Sequence, residues 1–456
     1  MFKLSAIAIL FAIVFACVLN AEPQADHLRL WEIARLKNPI LRVMDADILA
    51  ARARMNRSQV LFQSNPELEL STQRGTLRTG VVIDPGLEGP LQKEKQRTTG
   101  YEVGISQEFE VAGQRGLRIE STSAELESLV WRRQAHLREL YFGIRKELLT
   151  LSVQSRLIKV LDDQITSVSR VEQQFRNNGV RDTRLGLYAL DAIQADLALL
   201  RLERTAVEQD AQVSIGNLRG LVGNSEIVRP NGNFTDADLF PHSPDEALIL
   251  QKTLSTENPI LKENLALATK AKVDVELARR SIYPNVTAFL SAGQERRGNG
   301  LAIALPPISS GPQSESERFV RAGIRIPIPV FNRGQGLEAG ARAELTRITS
   351  TADAARLQME IRGRSLLSRY AQARANLKGI SLQVAKRTAI YLRLDQAFLT
   401  GRMNYSEYWS ERSKWMTMER ELNHALLDAI EARSGIEILS GIDFATGKPV
   451  ELETTK

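Results

Sequence analysis

The chain has 456 residues, 43% hydrophobic and 25% charged, with a net charge of +6 from 60 basic and 54 acidic side chains. Both signs are spread along the whole length, so a basic nucleic-acid arm is not indicated. With 29 glycines and 16 prolines the composition excludes a collagen or a linker, and beyond Leu19 no apolar run is long enough for a membrane-spanning helix.

The N-terminus reads Met1-Phe2-Lys3, then an apolar run from Leu4 to Leu19, then Asn20-Ala21-Glu22-Pro23. One positive charge, a short apolar core and a small residue before a polar stretch make a secretory signal peptide, residues 1–21, cleaved after Ala21. The only cysteine, Cys17, lies inside this run. Cleavage leaves a mature chain without a thiol. The alternative is lipoprotein processing, since Val14-Phe15-Ala16-Cys17 weakly resembles a lipobox with a bulky Phe15.

An internal repeat organises the rest. Asn38-Pro39-Ile40-Leu41 recurs as Asn258-Pro259-Ile260-Leu261. A short amphipathic segment precedes each copy, Leu28 to Lys37 and Ala247 to Glu257, and a helical stretch closed by Pro66 or Pro284 follows. The period then changes to two. In the first copy Leu68, Leu70 and Thr72 alternate with polar residues. Tyr101, Val103, Ile105, Phe109 and Val111 then alternate with Glu102, Gly104, Ser106, Glu108 and Glu110. In the second copy Val286 to Ala292 is the first strand. Val320, Ala322, Ile324, Ile326 and Ile328 alternate with Arg321, Gly323 and Arg325 in the second. One apolar face at period two predicts a half-buried strand, and in an exported chain that face can meet lipid as well as a core. The segments between the strands, Gly75 to Thr99 and Gly293 to Glu317, read as polar loops with turn residues.

Each second strand ends in a Gly/Arg corner, with Gly113, Arg115 and Gly116 in the first and Asn332, Arg333, Gly334 and Gly336 in the second. Very long helices are predicted next, from Leu117 to Phe175 and from Leu337 to Phe398. No proline occurs between Pro90 and Pro230 or between Pro329 and Pro449. About 60 helical residues would span roughly 90 Å, more than a globular core needs. Each long helix stops at a glycine turn, Gly179 or Gly401. The return helices carry coiled-coil seams, Leu190, Ile193, Leu197, Leu200 and Trp415, Met418, Leu422, Ala425, Ala429, and end near Gly223 and Gly441. The domains are therefore a first repeat (22–227), a linker (228–244), a second repeat (245–441) and a tail (442–456). The fold class is mainly α with a small β part, in two tandem repeats of helix, strand, strand, long helix, helix. Four strands cannot close a barrel alone.

These features resemble the TolC-like outer-membrane efflux family, and within it the CzcC-type branch of heavy-metal efflux systems. The residues that carry the resemblance are the two Asn-Pro-Ile-Leu copies and Gln107-Glu108-Phe109-Glu110 leading into Gly113-Gln114-Arg115. The most specific is Pro327-Ile328-Pro329-Val330-Phe331-Asn332-Arg333-Gly334-Gln335-Gly336. The resemblance covers about Leu28 to Gly441. It implies a homotrimer with a shared twelve-stranded β-barrel in the outer membrane and an α-helical tunnel in the periplasm. It implies as partners a periplasmic adaptor protein, an inner-membrane pump of the resistance-nodulation-division type and outer-membrane lipid. In that frame Glu102, Ser106, Glu108, Arg321 and Arg325 face the barrel lumen. Gly179, Asp182, Phe398, Gly401, Met403 and Glu407 mark the periplasmic entrance. Glu407 matches an acidic position that lines the family's entrance, while the next such position is Ser410. Phe398 stands where a tip tyrosine is frequent, and Met403 replaces an arginine used in gating. Asp182 also reads as a helix cap, and Glu407 as an ordinary solvated residue.

No phosphate-binding loop, zinc-protease motif or nucleophile elbow occurs, so no enzyme, cofactor or metal site is expected. His27, His136, His242 and His424 stand far apart without ligand spacing. The function expected is a passive exit duct for heavy-metal cations, with drug or peptide export as the alternative. A periplasmic coiled-coil scaffold without a pore, or a soluble sandwich with one wet face, would account for part of the pattern.

Overall fold

A computed structural model describes residues 27–80, 93–177, 184–223, 245–299, 303–305, 308–310, 314–331, 333–444, 446–450 and 452. The first repeat contributes α1 (His27–Lys37), α2 (Pro39–Gln59), β1 (Glu67–Gly80), β2 (Lys93–Phe109), α3 (Gln114–Asn177) and α4 (Arg184–Val222). The second contributes α5 (Glu246–Thr253), α6 (Pro259–Arg280), β3 (Val286–Asn299), β4 (Ile303–Leu305), β5 (Ile308–Ser310), β6 (Ser314–Arg325), α7 (Gln335–Leu399) and α8 (Tyr405–Ser440). The expected order recurs in both halves. The signal segment, the linker, Gly179, Asp182 and Asn332 lie outside the described residues.

The long helices are uninterrupted over 64 residues (α3) and 65 residues (α7). Leucine and arginine, both good helix formers, are the commonest residues across the two and no proline intervenes, so every turn keeps its backbone bond. The return helix α8 stops at Gly441 in the left-handed conformation, and Gly223 after α4 and Gly401 after α7 also have positive φ.

The chain divides into two compact units. One comprises Met1–Ile48, Ser128–Leu265 and Thr351–Lys456; the other comprises Leu49–Glu127 and Ala266–Ser350. In the first unit each repeat builds its own seam. Leu30, Trp31, Ala34 and Leu41 pack on Leu137, Leu140, Phe142 and Ile144 of α3 and on Ile215, Leu218 and Val222 of α4. Ile249 packs on Leu367, Tyr370 and Leu377 of α7 and on Leu422, Leu426 and Ile436 of α8. A third cluster draws on α3, α4, α7 and α8 together, through Leu161, Val171, Ile193, Leu197, Leu394, Phe398 and Trp415. Each fully buried leucine or isoleucine contributes about 1.5–3 kcal/mol, which is why these helices persist as bundles.

The repeated Asn-Pro motif acquires a physical reason here. Asn38 caps α2: its Oδ1 accepts the N–H groups of Ile40 (2.8 Å) and Leu41 (3.2 Å), with Pro39 at the first helical position. Its Nδ2 donates to the Leu221 carbonyl at the end of α4 (2.7 Å). Asn258 repeats this, accepting from Ile260 (3.1 Å) and donating to Leu439 at the end of α8 (2.8 Å) and to Thr253 (3.0 Å). Both asparagines are buried. Each motif therefore ties a helix start to the return helix of its own repeat.

In the second unit one antiparallel sheet has the order β1-β2-β3-β6. Its strands outrun the sequence expectation. β1 continues to Gly80 and β2 begins at Lys93, so much of the expected 75–99 loop is ladder. Likewise β3 continues to Asn299, β6 begins at Ser314, and β4 and β5 form a small hairpin between them. Polar side chains misled the pattern there: backbone pairing needs no apolar face where both faces are wet. At the other ends, Glu110, Val111, Ile326 and Ile328 fall outside the strands, and Glu110 is ion-paired with Arg118 of α3.

Candidate functional site

The sheet's register is continuous through all three pairings, so each face can be read without a slip. One face carries Leu68 and Leu70 of β1, Tyr101, Val103 and Ile105 of β2, Leu290 of β3, and Val320 and Ile324 of β6. Every one of these is exposed, from 45% at Val103 to 73% at Val320. A continuous exposed apolar patch of this kind marks a surface that meets another molecule or a membrane. The two outer strands, β1 and β6, each pair on one side only among the described residues.

The opposite face holds all five residues expected in the lumen. Glu102 accepts from Ser291 Oγ (2.6 Å) and is paired with Arg321 Nη1 (3.2 Å), across β3. Glu108 accepts from Asn285 (2.8 Å) and Ser64 (3.2 Å). Ser106 stands opposite Phe289 and Glu67, and Arg325 opposite Thr287. The sequence pattern missed what else is on this face. Phe319 lies opposite Gly293 and Phe289 opposite Gly323, so close that an added Cβ at either glycine would come within 2.5 Å of the ring. The rings cover bare backbone, and Arg321 sits over Phe319 at 4.1 Å from the ring centroid. Glycine opposite phenylalanine was the available signal, but it shows only once register is known.

The two corners are built alike. Gly113 and Gly334 both have φ of 73°. The next residue in each is a glutamine that folds back: Gln114 Oε1 accepts the Ala112 N–H and Gln335 Oε1 accepts the Arg333 N–H, both at 3.0 Å. Gln114 Nε2 also donates to the Tyr283 carbonyl (3.1 Å), and Arg115 donates to the Gln59 carbonyl (2.6 Å). Gly116 and Gly336 have open space where a side chain would go. The corner's requirement is thus Gly-Gln, and the second glycine is not sterically demanded.

In the helical unit, the turn between α7 and α8 places the other candidates. Gly401 has φ of 71°. Phe398 is 8% exposed and stacked between Phe175 (5.8 Å) and Tyr408 (4.8 Å), inside the bundle seam. Met403 packs against the same cluster. Glu407 is exposed and closes a capping box with Asn404, its carboxylate accepting the Asn404 N–H at 3.2 Å.

Next to it lies a buried polar network that sequence reasoning passed over. Arg412 is fully buried. It donates to Tyr408 Oη (2.5 Å), Asp395 (3.3 Å) and the Gln164 carbonyl (3.0 Å). Asp395 also accepts from Tyr408 (3.0 Å) and from Ser167. Tyr405 donates to Asp196 of α4. Burial pushes the Asp196 carboxyl above its ordinary value, and burial with the Asp196 bond raises the Tyr405 phenol, so that bond keeps its proton across neutral pH. The signal was spacing: Tyr408, Arg412, Trp415, Glu419, Leu422, Leu426, Ala429 and Arg433 are all buried in a 4-3-4-3 seam. Apolar spacing alone points to Met418 and Ala425 instead, and these are only partly buried. Among the described residues no group of His, Cys, Asp or Glu could hold a metal, and no helix is long and apolar enough to cross a membrane.

No family model matches the chain. Over 277 residues, 58% of its length, it is 24% identical to the cobalt-zinc-cadmium resistance protein CzcC of Cupriavidus metallidurans, and the match spans 59% of that protein. Among solved structures, a membrane protein from Pseudomonas aeruginosa aligns with a TM-score of 0.66 at 15% identity, covering 91% of this chain and 94% of that one. The Campylobacter jejuni CmeC outer membrane channel aligns at 0.62 and 14% identity, covering 91% and 85%. The fold is that of the TolC-like outer-membrane channels. The four-stranded sheet and the long helices therefore belong to a fold that the repeats also resemble on sequence.

Proposed function

We propose that this TolC-like chain is the outer-membrane subunit of a tripartite efflux system, a passive exit duct driven by an inner-membrane pump through a periplasmic adaptor. The observation that carries it is the four-stranded sheet, with one exposed apolar face, one charged face and two outer strands that each pair on one side. Three copies joined edge to edge would make twelve strands, turn every apolar face to lipid and leave Glu102, Ser106, Glu108, Arg321 and Arg325 in a wet lumen. The long helices supply the periplasmic tunnel, and Gly401, Met403 and Glu407, with Gly179 and Asp182, mark its entrance. Heavy-metal cations are the preferred cargo because of the likeness to CzcC. Among the described residues no group of His, Cys, Asp or Glu could hold a metal tightly, which is compatible with a duct that must release what enters it.

Purified protein in planar bilayers gives stepwise conductance from a detergent-stable trimer on this reading. No conductance and no trimer would favour the coiled-coil scaffold. A strain lacking the protein loses zinc, cobalt or cadmium tolerance; unchanged metal tolerance with increased drug sensitivity reassigns the cargo.

A further inference from the structure

The two faces of the sheet carry opposite charge at the end away from the helices' corners, where β1 reaches Gly80 and β6 begins at Ser314. On the apolar face, the register places Arg74 in β1, Arg97 in β2, Arg296 in β3 and Arg318 in β6, and all four are exposed. Arg78, Lys95 and Lys93 occupy the next register positions of the same parity. No aspartate or glutamate stands on this face in any of the four strands. The other face, at the same level, carries Glu295, Glu315 and Glu317, and its Arg297 is neutralised by Glu295 at 2.9 Å. Arg318 stands in the row of Tyr101 and Gln294, Arg74 and Arg296 one row further out and Arg97 the row after that; the Tyr101 hydroxyl donates to Gln294 (2.9 Å) at the border of the apolar band.

We propose that this arginine cluster binds the phosphate groups of membrane-lipid headgroups at the rim of the apolar band. The inference rests on the reading of the sheet as a membrane wall. Lipid tails cover Leu70, Val103, Leu290 and Val320; the strands then leave the hydrocarbon at the tyrosine, where aromatic rings favour the interface. Beyond that border an anionic surface attracts each arginine, and guanidinium forks grip phosphate in pairs of bonds. A face meeting only water has no reason to exclude every carboxylate while its reverse side mixes both signs.

The test titrates the full-length protein, in uncharged detergent, with diphosphorylated lipid A and with the same lipid dephosphorylated. Combining Arg74→Gln, Arg97→Gln, Arg296→Gln and Arg318→Gln is expected to weaken binding of the phosphorylated lipid at least about 30-fold. Arg321→Gln, on the opposite face, keeps wild-type affinity. Should the fourfold variant misfold, Arg74→Gln and Arg318→Gln singly each lose about fivefold. Equal affinity of variants and wild type, or displacement of the lipid by inorganic phosphate at matched concentration, overturns the proposal. Insertion into neutral phosphatidylcholine vesicles separates it from the reading beneath: a chain that inserts but ignores lipid phosphate overturns this inference alone, and one that fails to insert overturns both.

Discussion

The sheet and the helical bundle use the same side-chain chemistry in opposite senses. In the bundle, leucine and isoleucine turn inward and the charges that enter the seam come with partners, as Arg412 does with Asp395 and Arg433 with Glu437 (2.9 Å). In the sheet, the apolar residues turn outward and stay exposed, while Glu102 and Arg321 meet on the reverse face. The bundle therefore carries its own solvent-excluded core. The sheet has none of its own on its apolar side and requires another medium or another molecule there. That contrast separates a scaffold from a membrane wall, and it is open to attack from both ends.

The strongest attack is on a buried pair. Arg433 and Glu437 are both nearly inaccessible, and Glu437 also accepts the Phe444 N–H (3.1 Å) and lies 3.7 Å from Arg145. Arg433→Met strips the nearest cation from a buried carboxylate and is expected to cost about 3–5 kcal/mol. Thermal unfolding of the purified full chain reads it; a loss below 1 kcal/mol would mean the seam tolerates lone charge.

Val103→Arg attacks the sheet. On a lipid-facing wall it costs about 2–4 kcal/mol near the midplane and blocks insertion; on a water-facing sheet it costs almost nothing. Membrane fractionation of the variant decides, and normal insertion with unchanged stability would break the contrast at its root.

The third compares the repeats. Asn258→Ala removes three side-chain bonds from a buried site, for about 1–3 kcal/mol, and Asn38→Ala should match it because Asn38 also makes three, two of them in common: the helix cap and the bond to its return helix. Denaturant midpoints of the two variants would diverge if one copy of the motif were ornamental.

The smallest effect is pH-linked. Glu419 sits in the α8 seam, 6% exposed, with Arg156 at 3.9 Å, and burial holds its carboxyl above the ordinary range. The folded chain then binds this proton more tightly than the unfolded chain. Its contribution to stability falls as pH rises from the ordinary carboxylate value through the raised one. Glu419→Gln should flatten that part of the stability–pH curve and leave the variant slightly more stable near neutrality. An unchanged slope would show the group to be solvated.

The sequence by itself determined the period of the apolar strand segments and of the helical seams, two for the one and seven over two turns for the other, and a repeat announced by Asn-Pro-Ile-Leu. These follow from backbone geometry, which fixes where successive side chains point. Glycine at 113, 223, 334, 401 and 441 was readable for the same reason, since a turn with positive φ favours it. Tertiary structure alone decided what the periods meet. It extended the strands into polar sequence, because ladder bonds are made by backbone and carry no compositional mark. It put Arg412 and Glu419 inside the seam, set phenylalanines against Gly293 and Gly323, and collected Arg74, Arg97, Arg296 and Arg318 on one face. Those relations join residues far apart in the chain, and only strand register and helix packing bring them within reach.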